Sequence, residues 1–330
     1  MLSIAAKYDL KDYRNPEFLD KGLFGKVYQV SSRVNHKFKY AVKVVDITSD
    51  GVSKKLENEE TLHKELTLAA SQSPTPCYIL DFLGSACDES NGQRFISLFL
   101  ELAPHGTLTR YIPSNGFASH VAARYFCQLV SALKFMHDLH IVHGDVKPDN
   151  MLMDEKYQLK LADFNLSRRQ NDSTKAVAPG YTANYAAPEV LQKMLIDGFA
   201  ADAWAAGITL FELLAGRCPW KRAERMDPAY LKWTRGQLED PWTTINQEEI
   251  DSIRPLLSED PECRATIEMV WEVTGPNRGV IVEEAEPMET SEPSIPSTPE
   301  GPKPKRGIKR AAPENEALAD AMRPKRTARE

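Results

Sequence analysis

An α+β fold, with a small β-rich part ahead of a mainly helical one, is predicted by three features of this 330-residue chain. Short runs of β-branched and aromatic residues at 26–30, 40–47 and 95–102 have strand character. Beyond about residue 103 apolar residues recur at helical spacing. Near Trp271 the composition breaks: residues 277–330 hold no aromatic residue and no cysteine, yet 8 of the 22 prolines.

The elements follow in order. The strand-like runs at 26–30 and 40–47 precede one helical stretch at 56–70, in which Leu62, Leu66, Ala69 and Ala70 share a face. The run at 95–102 completes a small sheet. A long amphipathic helix is then predicted from Val121, Tyr125, Leu129, Leu133 and Met136, and another from Trp204, Ile208, Phe211 and Leu214. Residues 277–330 cannot bury enough apolar surface to order themselves and are predicted to be a disordered tail. Its charges are segregated, with Glu283, Glu284, Glu286, Glu289 and Glu292 ahead of basic clusters at 303–310 and 323–329. At about 150 residues per domain the length allows two.

Composition excludes several classes. Apolar content of 42% and charge of 27% are those of a globular protein. A net charge of −6 offers no footprint for duplex nucleic acid, so direct nucleic-acid binding is not expected. The 5 cysteines are scattered without a C-x-x-C pair, which suggests neither a disulfide framework nor a zinc ribbon and fits a reducing compartment. No run approaches 18 consecutive apolar residues, and the N-terminus lacks a cleavable leader pattern, so neither membrane spanning nor secretion is expected.

Three sequence patterns carry chemistry. In the segment 20–27, Gly22 and Gly25 would let backbone N–H groups approach phosphates, although two glycines three apart also fit an ordinary turn. Lys43, flanked by Val42 and Val44 on a predicted strand, needs an anionic partner if buried, or else snorkels to the surface. The third pattern is the most specific: His143-Gly144-Asp145-Val146-Lys147-Pro148-Asp149-Asn150, then Asp163-Phe164-Asn165, then Ala187-Pro188-Glu189.

The order of these motifs resembles the signature set of the eukaryotic-type Ser/Thr protein kinases. The resemblance covers residues 8–272 and implies a bilobal kinase fold, an antiparallel-sheet N-lobe at about 8–102 and a mainly helical C-lobe at about 103–272. It implies ATP and Mg²⁺ as cofactors and protein substrates bearing Ser or Thr. Asp145 would orient the substrate hydroxyl, and Lys147, the residue type of Ser/Thr rather than tyrosine kinases, would meet the γ-phosphate. Asn150 and Asp163 would hold the metal. Lys43 would meet the α- and β-phosphates, aimed by a carboxylate. Glu57, Glu59, Glu60 and Glu65 all lie on the right helix, and the family spacing back from Pro76 selects Glu65. Gly22, Gly25, Val27, Ala41 and Lys43 would enclose the nucleotide, with Glu101 and Ala103 bonding adenine and Leu100 as gatekeeper. Asp202 would anchor the catalytic loop, and Arg264 would pair with Glu189. Within the family, Cys218-Pro219-Trp220, Tyr230, Trp233 and 241–245 resemble the C-lobe of the checkpoint kinase 1 branch, which implies a role in cell-cycle or DNA-damage signalling.

Three positions depart from the pattern. Asp20 replaces the first glycine of the loop, Gly144 the arginine before Asp145, and Asn165 the glycine after Phe164. The loss of that arginine implies that activity does not depend on an activation-segment phosphate. These departures also leave a pseudokinase scaffold as the rival reading. The basic clusters of the tail read equally as a nuclear localisation signal, with an import receptor as partner, or as a solvated tail; the family resemblance favours the nucleus and leaves the cytoplasm open as well.

Overall fold

The computed structural model describes residues 13–22, 25–35, 37–47, 50–90, 93–171 and 175–275. The segment 277–330, expected to be a disordered tail, and residues 8–12 of the expected kinase domain lie outside the described residues.

The fold is α+β. Five antiparallel strands, β1 (Tyr13–Lys21), β2 (Gly25–Ser32), β3 (Lys39–Asp46), β4 (Phe82–Ser90) and β5 (Gln93–Leu100), form a sheet in the order β1-β2-β3-β5-β4. Side chains alternate across it. On β5, Phe99 packs with Tyr13, Tyr28, Val30 and Val42 on one face, and Leu98 packs with Val45, Ile47, Leu56 and Phe82 on the other.

The helix between β3 and β4, α1 (Asp50–Ala70), begins six residues before the predicted stretch. Those six residues carry no apolar period, so the pattern could not reveal them. Its buried face comprises Leu56, Glu59, Leu62, His63 and Leu66.

The second half is helical: α2 (Ser119–Asp138), α3 (Pro188–Leu191), α4 (Gly198–Ala215), α5 (Pro228–Thr234), α6 (Gln247–Ile253) and α7 (Ile267–Thr274). Two small ribbons pair β6 (Ile141–Val142) with β9 (Arg168–Arg169) and β7 (Met151–Met153) with β8 (Leu159–Leu161). Asp197 caps α4 by accepting from Phe199 N, and Gly216, at φ 75°, closes its C-terminus in the left-handed conformation. Among the described residues, α4 alone is long and apolar enough to cross a membrane, with mean hydropathy 1.3 over 18 residues, and 78% of that stretch is buried inside the protein. It is the central helix of the lower core, packed against α2 and the residues after α6.

Candidate active site

A pocket with about 230 Å³ of space lies where the sheet meets the helical half. Val27, Ala41, Leu100 and Leu152 supply apolar walls, and Lys43, Glu59, Asn150 and Asp163 gather polar groups in it. Gly22, Glu101 and Ala103 also line it. Glu101 is fixed by Lys160 Nζ at 2.9 Å and by Asp81 N–H at 3.1 Å, and its own N–H donates to Asp81 O. The Ala103 carbonyl accepts from Gly106 N–H.

Gly25 does not line the pocket. A Cβ there would stand 2.4 Å from Val44 O, so this glycine is required by the close approach of β2 to β3. Asp20, exposed at the pocket mouth, turns its Oδ1 to the N–H of Lys21.

Lys43 sits on β3 opposite Leu98 and Val27, with its ammonium buried between two carboxylates. Nζ lies 2.6 Å from Glu59 Oε1 and 3.0 Å from Asp163 Oδ1. Burial works against its charge, yet Asp163 and Glu59 together outweigh that and hold the Lys43 pKa above the ordinary lysine value. Burial likewise opposes the charge of Asp163, but the Lys43 ammonium holds its carboxyl below the usual range.

The partner of Lys43 is therefore Glu59, not Glu65. Glu59 falls three residues after Leu56 and three before Leu62, on the buried stripe of α1, whereas Glu65 is rotated onto the exposed flank. There Glu65 pairs with Arg169 of β9, whose guanidinium also donates to Leu139 O at the end of α2. A lone carboxylate inside the apolar stripe was the available signal.

Asp163 adopts the left-handed conformation at φ 63° and ψ 73°, which Asp tolerates. Asn165 Nδ2 donates to Asp163 Oδ1 at 2.9 Å, a bond that a glycine in this place could not make. The backbone of Asp163 and the side chain of Asn165 thus share the task of aiming this carboxylate.

Side chains of the loop 143–150 and of Thr182 converge on Asp145. Lys147 Nζ donates to Asp145 Oδ2 at 2.6 Å, and Asn150 Nδ2 donates to Asp145 O at 2.8 Å and to Oδ2 at 3.2 Å. Thr182 Oγ1 donates to Asp145 Oδ1 at 2.6 Å while accepting from Lys147 Nζ at 2.8 Å. Thr182 was not singled out in the sequence, because a threonine 37 residues downstream of Asp145 carries no local pattern. Asp145 N–H donates to His143 Nδ1, which leaves the proton on Nε2, donating to Ala162 O at 3.1 Å.

Asp202 of α4 holds the loop from below, accepting from His143 N–H at 2.8 Å, Gly144 N–H at 2.9 Å and His137 Nε2 at 3.0 Å. Burial pushes its pKa up, but these donors, His137 first, bring it below the usual carboxylate range. Gly144 has φ 83°, and a Cβ on it would lie 2.8 Å from Leu166 O. Arg168 turns towards the start of α4, donating to Gln170 Oε1 at 3.2 Å and filling the space that the absent side chain of Gly198 leaves. Arg264 forms a bidentate pair with Glu189 at 2.7 and 3.1 Å.

A column of rings links the two halves: His143 to Phe164 at 5.5 Å, Phe164 to His63 at 4.6 Å and His63 to Phe82 at 5.6 Å between centroids. His63, buried on α1, bonds Leu80 O through Nε2 at 2.7 Å, and burial lowers its pKa to about 4. It too went unnoticed in the sequence.

The donor set suits a nucleotide accompanied by a cation. Lys43 faces two carboxylates, a balance of −1 that disfavours bare phosphates, and Asp163 and Asn150 offer oxygens of the kind a hard cation takes. Among the described residues no group of three or more His, Cys, Asp or Glu is placed to hold a metal ion.

The family profile described as protein kinase domain matches residues 13–274. The chain is 32% identical over 265 residues to the serine/threonine-protein kinase chk-1 of Caenorhabditis briggsae, covering 78% of this chain and 52% of that protein. It is 32% identical over 257 residues to the serine/threonine-protein kinase grp of Drosophila melanogaster (76% and 48%). It is 32% identical over 273 residues to the serine/threonine-protein kinase CHK1 of Saccharomyces cerevisiae (78% and 50%). The chain spans about half the length of these curated relatives.

Proposed function

From the premise that this chain belongs to the protein kinase family, we propose that it transfers the γ-phosphoryl group of ATP to Ser or Thr hydroxyls of proteins, with Mg²⁺. The observation that carries the reading is the buried Lys43 held between Glu59 and Asp163, beside an Asp145 whose carboxylate is fixed by three donors.

Bound MgATP supplies the electrophilic phosphorus and the charge that neutralises its oxygens. The protein's part is positioning. Glu59 keeps the Lys43 ammonium extended towards the phosphate side of the pocket, where it binds the α- and β-phosphates. Asp163 and Asn150 present oxygens to the metal. Asp145 aligns the acceptor hydroxyl and takes its proton at a carboxylate oxygen, while Lys147 Nζ holds negative charge between them. Because both Asp145 oxygens already have donors, the group is aimed before substrate arrives and little reorganisation is left for the reaction step. Val27, Ala41 and Leu100 give apolar walls for the base, and Glu101 and Ala103, which also line the pocket, are the residues whose backbone would bond its edge.

The relatives named above support a role in checkpoint signalling and action in the nucleus, with the basic clusters at 303–310 and 323–329 engaging an import receptor. No observation in the site favours the scaffold reading. The test is an arrayed peptide library with ATP and Mg²⁺: phosphate is expected on Ser and Thr peptides, and transfer confined to Tyr peptides would overturn the substrate class.

A further inference from the structure

A second concavity lies between α2, α4, α6 and α7 and shares no lining residue with the nucleotide pocket. It has about 570 Å³ of space, with Phe126, Leu210, Leu214 and Leu256 in its walls. Two further lining residues, Met269 and Val273 of α7, are 57% and 69% exposed. An apolar concavity of this shape can seat a short apolar segment. One rim is acidic, with Glu248, Glu249 and Asp251 of α6, and no lysine or arginine is among the described lining residues.

The chain leaves α7 at this groove: Val273 and Thr274 line it, and the described residues end at Gly275. In the 55 residues that follow, Val280-Ile281-Val282 is the only run of three branched apolar side chains. Val280 comes six residues after Thr274, a span of up to about 20 Å in extended chain. Arg278, just before the run, carries the charge the acidic rim attracts. Glu283, Glu284 and Glu286, just after it, carry the charge the rim repels. We propose that residues 278–282 of this chain fold back into the groove, Ile281 against its apolar floor and Arg278 towards the α6 carboxylates, and that the acidic run beyond marks where the seated stretch ends. A covalently attached segment this close competes at millimolar effective concentration, ahead of a second copy or a free peptide.

Cys127 lines the same groove and serves as a built-in reporter. Hydrogen exchange and thiol alkylation, mapped by peptide mass spectrometry on the full chain, test the proposal in the wild type, Ile281→Asp and Met269→Glu; Met269 is half-exposed, so its substitution leaves the fold intact. Amides 279–282 are expected to exchange at least about tenfold more slowly than those beyond 285. Both substitutions are expected to abolish that difference and to raise alkylation of Cys127 at least about threefold. Exchange at 279–282 equal to the rest of the segment, or protection that survives Met269→Glu, would overturn the proposal. Protection that grows with protein concentration would overturn it too, and would identify a second copy as the occupant.

Discussion

Lys43 Nζ stands 2.6 Å from Glu59 Oε1, and this contact ties the middle of the sheet to the buried stripe of α1. Two further contacts of α1 lie on either side of it: His63, one turn on, reaches Phe164, and Asn58 Nδ2 donates to Ser167 O at 2.9 Å. Removing the Glu59 charge leaves Lys43 with Asp163 alone. Glu59→Gln is therefore expected to lower kcat/KM by at least about tenfold. Glu65 forms an exposed pair of the kind worth about 0.2–1 kcal/mol, so Glu65→Gln is expected to stay within about fivefold. Steady-state kinetics of both variants decide between the two carboxylates, and the reverse ranking would reject the Glu59 assignment.

Thr182 bridges Asp145 and Lys147 through one hydroxyl. Thr182→Ala is expected to reduce kcat by about 10²-fold, since it unfixes both groups, with the KM for ATP little changed. Thr182→Ser, which keeps the hydroxyl, should restore kcat to within about threefold. Equal loss in Ala and Ser variants would mean that the methyl packing, not the bridge, matters.

The buried neutral His63 makes stability depend on pH. Its pKa in the fold is about 4, against 6.5 for the free side chain. Between these values the unfolded chain binds a proton that the folded one does not. Stability therefore falls as pH drops from about 6.5 to about 4, by on the order of 3 kcal/mol from this residue. Urea unfolding of wild type and His63→Asn across that window is expected to show a shallower acid loss in the variant, at the cost of lower stability at neutral pH from the broken bond to Leu80 O. Parallel curves would refute the burial argument.

Gly144 holds φ 83° with Leu166 O close to where a Cβ would sit. Gly144→Ala is expected to cost about 1–3 kcal/mol, seen as a lower Tm. An unchanged Tm would show that the loop relaxes freely.

Much of this was legible because phosphoryl transfer constrains local strings: Asp145, Lys147, Asn150 and Asp163 lie within 19 residues and announce themselves together. Contacts between distant segments were not. Glu59 and Glu65 differ by their angle around a helix whose start carries no apolar period, and counting back from Pro76 could not supply that angle. Thr182 and His63 matter through tertiary geometry alone. Gly25 looked like a phosphate-loop residue and instead serves strand packing, since a tight sheet and a phosphate loop both ask for glycine.

The central claim is that Asp145 performs the transfer step while Lys43 and Asp163 serve the nucleotide and its metal. It is tested most directly by measuring, on the same preparations of wild type and Asp145→Asn, both Mg²⁺-dependent ATP affinity and phosphate transfer to a mixed Ser/Thr peptide. The account predicts affinity within about threefold and transfer reduced by at least about 10²-fold in the variant. Wild type that binds nucleotide without transferring phosphate, or a variant that retains a third or more of the wild-type rate, would contradict it.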